Sequence, residues 1–296
     1  MIERLRRPPE VLNGWLALVV WVVQPFTLGP LVGDALDPTR NLFRGAVTWA
    51  LWLGWLLVLV AVALPRPITL TVARIGATAT VPIAAWAAIE SDETAASVVG
   101  LISAVIAAAV VLAPTFADRF IDGASYGDER RFALRPPGPV LVGLLVPTWV
   151  VVVAGAVAGP LLLADEQWVL GGILIALGWP LAFFGVRALH QLTNRFVVFV
   201  PNGFVVHDLT VLREPVLFQS REIAGLAPAP ADTTADDMTN AALGLALELR
   251  LGAPATLPVV VGRRETEDRD VRALLISPSR PAAVMRMAQD RGFRIV

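Results

Sequence analysis

Residues 45–64 read GAVTWALWLGWLLVLVAVAL and contain no charged side chain. A helix that rises 1.5 Å per residue needs about 20 apolar residues to cross the hydrocarbon core of a bilayer. A helix of a water-soluble protein keeps a polar face, whereas this stretch has none over whole turns. The stretch therefore predicts a helix that spans a membrane.

Further stretches of the same kind fill most of the first 190 residues. The six predicted spans are 13–32, 45–64, 67–89, 95–115, 139–163 and 168–190. Because the backbone inside lipid must satisfy its own hydrogen bonds, we expect each span to be helical. The predicted fold class is an α-helical transmembrane bundle of six helices followed by a small α+β domain.

The distribution of arginine between the loops predicts the orientation of the chain. Arg4, Arg6 and Arg7 precede the first span, and four more arginines lie in the loop 116–138. Cytoplasmic loops of membrane proteins are enriched in Lys and Arg. The 33–44 loop is an exception: it is predicted to lie on the opposite side of the membrane, yet it contains arginines as well as acids. The totals favour the inner (plasma) membrane with both termini in the cytoplasm and the lipid bilayer as the first partner.

Composition excludes several classes of function. The formal net charge is −1, so there is no overall charge that would attract nucleic acid. The chain has no cysteine and only two histidines. A thiol nucleophile, a disulfide framework and a Cys- or His-based metal site are therefore excluded. We expect no metal, no cofactor and no catalytic residues.

The hydrophobic period changes after residue 190. Residues 195–200 read as an apolar strand, and Pro201-Asn202-Gly203 read as a hairpin turn. Further strand-like runs follow, and an amphipathic helix is predicted over 280–291. The polar segments 228–240 and 262–270 are expected to be exposed loops. These patterns predict a transmembrane domain at 1–192, which includes the loop 116–138, and a cytoplasmic domain at 193–296.

Five phrases of the sequence carry a resemblance to a known group of proteins. They are NRFVVFVPNGFVVHD at 194–208, EPVLF at 214–218, REIAGLAPA at 221–229, LLISPSRPAAVMRMA at 274–288 and GASYGDERRFALRPPGP at 123–139. The wording resembles uncharacterised multi-pass actinobacterial membrane proteins with a C-terminal pleckstrin-homology-like (PH-like) domain. The resemblance implies an antiparallel PH-like barrel with a C-terminal helix, and it brings no catalytic residues with it.

Two polar residues inside the predicted spans are candidates for an intramembrane site. Arg74 lies in the third span, and a buried membrane arginine is a functional candidate by default. At 1.5 Å per residue it lies only about 10 Å from the cytoplasmic edge, so it is also within snorkelling reach. Gln24 with Pro25 forms a polar kink in the first span, and the simpler interpretation is a hydrogen bond between packed helices.

The loop 116–138 holds the candidates for contact with a partner. They are Tyr126, Asp128, Arg130 and Arg131. Alternating acids and arginines indicate specific contacts, either with the cytoplasmic domain or with anionic lipid headgroups. A solvated charged loop is an equally good interpretation.

Two histidine-containing features and a possible repeat remain open. His207-Asp208 matches an Asp-oriented base, but a strand-end pair that caps a turn explains it more simply. His190 stands where the last span meets the soluble domain. The first and third hairpins share Gly-Pro (Gly29 and Gly159) and Leu-Gly-Trp (Gly54 and Gly178), which indicates either an internal repeat or chance.

These patterns favour a non-enzymatic membrane scaffold. Its cytoplasmic domain would bind a protein partner or the membrane surface, and the helices also allow homo-oligomers. The alternative is a transporter or lipid-handling protein regulated by the cytoplasmic domain, motivated by Arg74, Gln24 and the prolines in the spans. A membrane enzyme that uses the acids of the loop 116–138 ranks last, because the sequence holds no matching basic or histidine cluster.

Overall fold

The computed structural model describes residues 8–37, 41–262 and 265–295. The arginines Arg4, Arg6 and Arg7, used above to predict orientation, lie outside the described residues, as do positions 38–40 and 263–264. The chain forms two compact units. The helical unit comprises Met1–Phe120 and Val146–His190, and the sheet unit comprises Ile121–Leu145 and Gln191–Val296.

Six apolar stretches are long enough to cross a membrane in the described part of the chain. They are Gly14–Leu36, Leu42–Ala63, Pro67–Glu90, Thr94–Leu112, Val140–Ala164 and Trp168–Thr193. The helices are α1 (Pro8–Thr27), α2 (Gly29–Leu36), α3 (Asn41–Ala63), α4 (Pro67–Glu90), α5 (Thr94–Leu112), α6 (Pro114–Asp122), α7 (Leu145–Ala164), α8 (Trp168–Thr193) and α9 (Pro281–Asp290). Each predicted span thus overlaps an observed one, which confirms the prediction of six apolar helices.

The first span is a broken helix. Helix α1 ends at Thr27, and α2 begins at Gly29 with a proline in its first turn. Pro25 cannot donate a backbone hydrogen bond, and Pro30 fixes the backbone angle at which α2 starts. The turn at Leu28 therefore reflects the two prolines on either side of it.

Alanine is frequent among the buried residues of the helical unit, while many large apolar side chains face outwards. The buried residues include Ala73, Ala77, Ala84, Ala87, Ala104, Ala107, Leu31 and Leu70. Exposed residues include Trp49, Leu57, Val105, Phe183 and Phe184. Small residues let helix backbones approach closely in membranes. A surface of large apolar residues is suited to lipid contact.

Helices α7 and α8 pack through glycine. A Cβ on Gly155 would lie 2.7 Å from the carbonyl oxygen of Gly178, and a Cβ on Gly178 would lie 2.6 Å from that of Gly155. In the shared phrases, Gly159 corresponds to Gly29 and Gly178 to Gly54. A Cβ on Gly159 would lie 2.6 Å from Cγ1 of Ile175, whereas Gly29 and Gly54 have no neighbour within 4 Å of such a Cβ. The shared sequence phrases therefore serve different packing in the two hairpins, and the repeat gains no support.

The sheet unit contains two four-stranded sheets. Its strands are β1 (Arg130–Ala133), β2 (Phe196–Val200), β3 (Gly203–His207), β4 (Val216–Gln219), β5 (Ile223–Pro228), β6 (Asp236–Asp237), β7 (Leu247–Val260) and β8 (Thr266–Ile276). The strand orders are β1-β2-β3-β4 and β5-β7-β8-β6. The described strands do not close into the single barrel that the sequence led us to expect. They form two sheets instead, with α9 after the last strand.

The loop 116–138 is not a plain loop. It contains most of the amphipathic helix α6, and its residues Arg130–Ala133 form β1, which pairs antiparallel with β2. The last two spans, α7 and α8, therefore lie in the sequence between two neighbouring strands of one sheet. The compact sheet unit begins at Ile121, whereas the sequence placed the whole loop with the transmembrane domain.

Both predicted polar loops contain strand residues. Asp236–Asp237, inside the segment 228–240, pair parallel with β8, and β8 itself begins at Thr266. Strand β7 continues through Gly252 and Pro254 with a register shift between Arg250 and Ala255. Glycine and proline here mark an irregularity within one strand rather than a turn between two.

A single apolar core holds the sheet unit together. Its buried members include Phe132, Phe199, Phe204, Phe218, Leu212, Leu247, Leu249, Val271, Leu274, Val284 and Ala288. Val284 and Ala288 come from α9, and Ala283 and Met287 of the same helix are partly buried against the core. Gly203 allows β4 to approach, because a Cβ there would lie 2.1 Å from the carbonyl oxygen of Phe218.

Candidate recognition site

Asp122, the last residue of α6, organises the turn that follows it. Its Oδ1 accepts hydrogen bonds from Ser125 Oγ at 2.9 Å and from the backbone N–H of Arg131 at 3.0 Å. Its Oδ2 accepts from Arg130 Nη1 in an ion pair. Hydrogen bonds to an ionised carboxylate are stronger than neutral ones. Asp122 therefore holds both ends of the segment 123–130, which we call the Tyr126 turn.

Tyr126 stands at the tip of this turn. The backbone N–H of Tyr126 donates to Glu129 Oε2 at 3.3 Å, and the N–H of Glu129 donates to the Tyr126 carbonyl at 3.1 Å. Gly127 has a φ of 57°, a conformation that glycine adopts without strain. The tyrosine side chain is 86% exposed although its backbone is bonded in place. The turn thus presents an aromatic ring in a conformation that is already ordered.

The other predicted contact residues connect the Tyr126 turn to the rest of the sheet unit. Arg291, just after α9, donates from Nη2 to the backbone carbonyl of Asp128, whose side chain stays exposed. Arg131 pairs with Glu129 at 3.1 Å. Its guanidinium carbon also lies 5.4 Å from the ring centroid of Phe196. Of the four predicted residues, Arg130 and Arg131 hold the turn, while Tyr126 and Asp128 face solvent.

A stacked histidine supports the same sheet. The rings of Phe196 and His207 lie 4.3 Å apart and are nearly parallel. His207 Nδ1 lies 2.9 Å from the carbonyl oxygen of Asn194, so Nδ1 carries the hydrogen and donates it. Asp208 accepts instead from the backbone N–H and the hydroxyl of Thr210. The His207-Asp208 pair therefore has the geometry of a strand-end turn cap.

A buried ion pair, for which the sequence offered no signal of its own, joins the two ends of the β2–β3 hairpin. Arg195, two residues after α8, binds both carboxylate oxygens of Asp208 through Nε, each at 2.9 Å. Its Nη1 donates at 2.6 Å to the carbonyl of Arg135, which precedes the fifth span. The hairpin register pairs Phe196 with His207. The predicted turn at 201–203 was thus a signal that places Arg195 opposite Asp208.

A carboxylate of β7 is held in its charged form. Glu248 is buried, and its Oε2 accepts from Thr233 Oγ1 at 2.6 Å. Its Oε1 lies 2.6 Å from Nε of Arg250. The hydrogen bond from Thr233, followed by that from Arg250, lowers the pKa of Glu248 below its ordinary value.

Arg74 reaches the end of a neighbouring helix. Its Nε donates to the carbonyl of Val111 at 3.3 Å, and Val111 is the last residue but one of α5. The charge of Arg74 also interacts with Asp118 of α6. A cation near a helix C-terminus interacts favourably with the unpaired carbonyls there. The position is that of a helix-end contact.

Gln24 joins α1 to α5. Its side chain is buried, and its Nε2 donates to the carbonyl of Ser103 at 3.0 Å. Close by, Trp21 and Trp55 each donate the indole N–H to the other's carbonyl, at 2.9 and 3.0 Å. Both arrangements match hydrogen bonds between packed membrane helices.

His190 contacts α4. Its Nδ1 lies 3.1 Å from Thr71 Oγ1.

Within the described ranges, no three His, Asp or Glu side chains come together as they would to hold a metal ion. A shallow depression of about 440 Å³ on the sheet unit is lined by Thr234, Asp236, Pro254, Asp270, Arg272 and Ala273. Its charges are of both signs, so it favours no ligand class.

Comparison with protein families, curated proteins and solved structures finds no match to this chain. Function must therefore be inferred from the residues themselves. The most distinctive solvent-facing arrangement described above is the Tyr126 turn.

Proposed function

We propose that the protein is a non-enzymatic membrane scaffold whose sheet unit binds a protein partner through the Tyr126 turn. The observation that carries the proposal is a tyrosine that is 86% exposed on a turn that Asp122 bonds on both sides of it, at Ser125 and at Arg130 and Arg131. Tyrosine is enriched among the residues that dominate binding energy at interfaces. A turn that is ordered before binding loses less conformational entropy when the partner binds.

The architecture supports a PH-like relationship for the sheet unit. Two four-stranded sheets share one core, and a C-terminal helix follows the last strand. Isolated bridges join Leu134, just after β1, to Pro278, just after β8, and Leu212, between β3 and β4, to Val259 of β7, so segments next to the strands of one sheet meet the other. Folds of this type host many functions, so the relationship supports architecture and leaves function to the site.

We also propose that the sheet unit faces the cytoplasm, with both termini there and the spans in the inner (plasma) membrane. Arg119, Arg130, Arg131 and Arg135 all lie between the fourth and fifth spans. An excess of arginine in a short loop supports a cytoplasmic position for it. The even number of spans then brings the C-terminal segment to the same side.

The transporter alternative receives less support. Arg74 and Gln24 motivated it, and each donates a hydrogen bond to a backbone carbonyl of α5. The buried residues of the helical unit are largely alanine, leucine and valine. Packed helices of this kind favour a structural role for the bundle.

Site-specific photocross-linking tests the scaffold proposal. In the full-length protein in native membranes, p-benzoylphenylalanine replaces Tyr126, and irradiation should yield a discrete protein adduct. The matched control carries the same group at Leu217, an exposed residue of β4. Adding Asp122→Asn to the Tyr126 variant should weaken the adduct, because the turn loses its ion pair with Arg130. Adducts with lipid alone, or equal adducts at both positions, would overturn the proposal.

A further inference from the structure

The segment 240–246, which we call the Leu243 loop, exposes apolar side chains at one particular place in the sheet unit. Leu243 is 57% exposed and Leu245 is 50% exposed. Residues 241–246 read AALGLA and carry no polar side chain. Surfaces of water-soluble proteins also expose single leucines, so exposure alone does not identify a binding surface. The neighbours of the loop distinguish it.

The Leu243 loop packs beside the start of the fifth span. A Cβ on Gly138 would lie 2.2 Å from the carbonyl oxygen of Ala241 and 3.8 Å from Cδ2 of Leu243. The span begins at Val140, two residues later. At 1.5 Å per residue in a helix, two residues correspond to about 3 Å along the helix axis. The loop thus lies within one helical turn of the residue at which the span begins.

That first turn already presents apolar side chains outwards. Val142 is 78% exposed, and Leu144 is also exposed. These residues belong to a stretch that is apolar enough to cross a membrane. The exposed leucines of the loop therefore lie beside other exposed apolar side chains, rather than forming an isolated patch.

The backbone of the loop is prepared for a low-polarity environment. Arg135 Nη1 donates to the carbonyl of Leu243 at 3.3 Å and to that of Leu245 at 3.0 Å. Asn240 Nδ2 donates to the hydroxyl of Thr210 at 3.0 Å. Backbone carbonyls that lack such partners are costly in lipid. Arginine can also keep its charged end at headgroup level while its stem lies along apolar surface.

We propose that the Leu243 loop inserts its two leucines into the headgroup–acyl boundary of the bilayer and so fixes the sheet unit to the membrane surface. The occupant is lipid. The inference requires the fifth span to lie in a bilayer, and it does not depend on a partner at the Tyr126 turn.

The absence of cysteine from the chain makes the test direct. Leu243→Cys and Leu245→Cys are each labelled with an environment-sensitive nitrobenzoxadiazole dye in the full-length protein. The protein is reconstituted in phosphatidylcholine–phosphatidylglycerol vesicles. The control is Val261→Cys, which is similarly exposed at 51% but follows the opposite end of β7. Lipids that carry a doxyl group at carbon 5 of the acyl chain serve as the quencher.

The proposal predicts blue-shifted emission at positions 243 and 245, and quenching several times stronger than at position 261. Labelled Ala242→Cys, which keeps both leucines, should behave in the same way. This second variant covers the case in which a leucine replacement disturbs the loop. Emission and quenching equal to those at Val261 for all three labels would overturn the proposal.

Discussion

Arg195 and Asp208 form a bidentate ion pair whose side chains are 2% and 1% exposed, respectively. The closest contact joins Arg195 Nη2 to Asp208 Oδ2 at 2.6 Å. Arg195 also binds the carbonyl of Arg135, so one side chain bonds segments that precede and follow the last two spans. Removing one partner of a buried ion pair destabilises a protein far more than replacing both partners, because the remaining charge stays buried without compensation.

Replacing Asp208 with asparagine should destabilise the sheet unit by about 3–5 kcal/mol, because the buried charge of Arg195 loses its partner. Asparagine keeps an oxygen that can accept the hydrogen bonds from Thr210, so the loss of stability reports the ion pair rather than the turn cap. The measurement is pulsed thiol labelling of Ala288→Cys, a position that is fully buried in α9.

Two further variants accompany that measurement. Arg213→Met changes an exposed arginine of the same unit and should shift stability by no more than about 0.5 kcal/mol, as is usual for surface changes. The double variant Arg195→Met with Asp208→Asn should lose less than the sum of the two single losses. Strict additivity would show that the two side chains do not act as a pair.

Acid should weaken the sheet unit through Glu248. Its folded pKa is lowered by the hydrogen bonds from Thr233 and Arg250, so the folded state binds this proton less readily than the unfolded state. The stabilisation is complete above the ordinary pKa of 4.5 and is lost as pH falls through the lower folded value. Urea unfolding midpoints between pH 7 and pH 3 measure this loss of stability, with a dye on Val261→Cys as the reporter of unfolding.

Glu248→Gln should flatten that pH profile, because the variant has no carboxylate to titrate at this position. Thr233→Val should flatten it in part, since it removes only the hydrogen bond from Thr233 Oγ1. An unchanged slope in Glu248→Gln would assign the acid sensitivity to other carboxylates.

Alanine at Gly178 should destabilise the helical unit, while alanine at Gly172 should not. Both glycines lie in α8, but a Cβ meets the Gly155 carbonyl oxygen at 2.6 Å in the first case and nothing within 4 Å in the second. Overpacking typically costs about 1–3 kcal/mol. Alanine in an unobstructed helix position instead favours the helix. Thermal unfolding monitored by tryptophan fluorescence reports this unit, because all nine tryptophans precede residue 180.

Leucine at Gln24 should lower the stability of the helical unit by about 0.6 kcal/mol, the average for a hydrogen bond between membrane helices. The variant removes the donor to the Ser103 carbonyl and nearly preserves side-chain volume. Ser103→Ala is the matched change on the partner helix and leaves that carbonyl in place. It should have a smaller effect, since Ser103 Oγ lies 3.5 Å from Gln24 Oε1. Equal losses in both variants would contradict this account.

The sequence predicted the spans to within a few residues, because hydrophobic length is a property of each segment alone. It also predicted the hairpin after residue 195 and helix α9, whose stop at Gly292 has a φ of 76°. Local signals failed where a residue depends on a distant partner. A charged Glu248 is buried in β7, and the hydrogen bonds from Thr233 and Arg250 that allow this come from outside its immediate sequence pattern.

The candidate site divides in the same way. The sequence singled out Tyr126, Asp128, Arg130 and Arg131 as contact residues, but it had no signal that Asp122 would bond their turn on both sides of Tyr126. Arg130–Ala133 pair with β2 across two intervening spans. No periodicity within the loop indicates so distant a partner.

The amino-acid sequence by itself determined that this chain carries six apolar helices and a separate strand-rich segment, since burial in lipid and alternation along a strand are local requirements. Only the tertiary structure decided that β1 joins the sheet, that Arg195 pairs with Asp208, and that the Leu243 loop packs beside Gly138. Such contacts depend on which distant segments pack together, and that choice is made by the whole core.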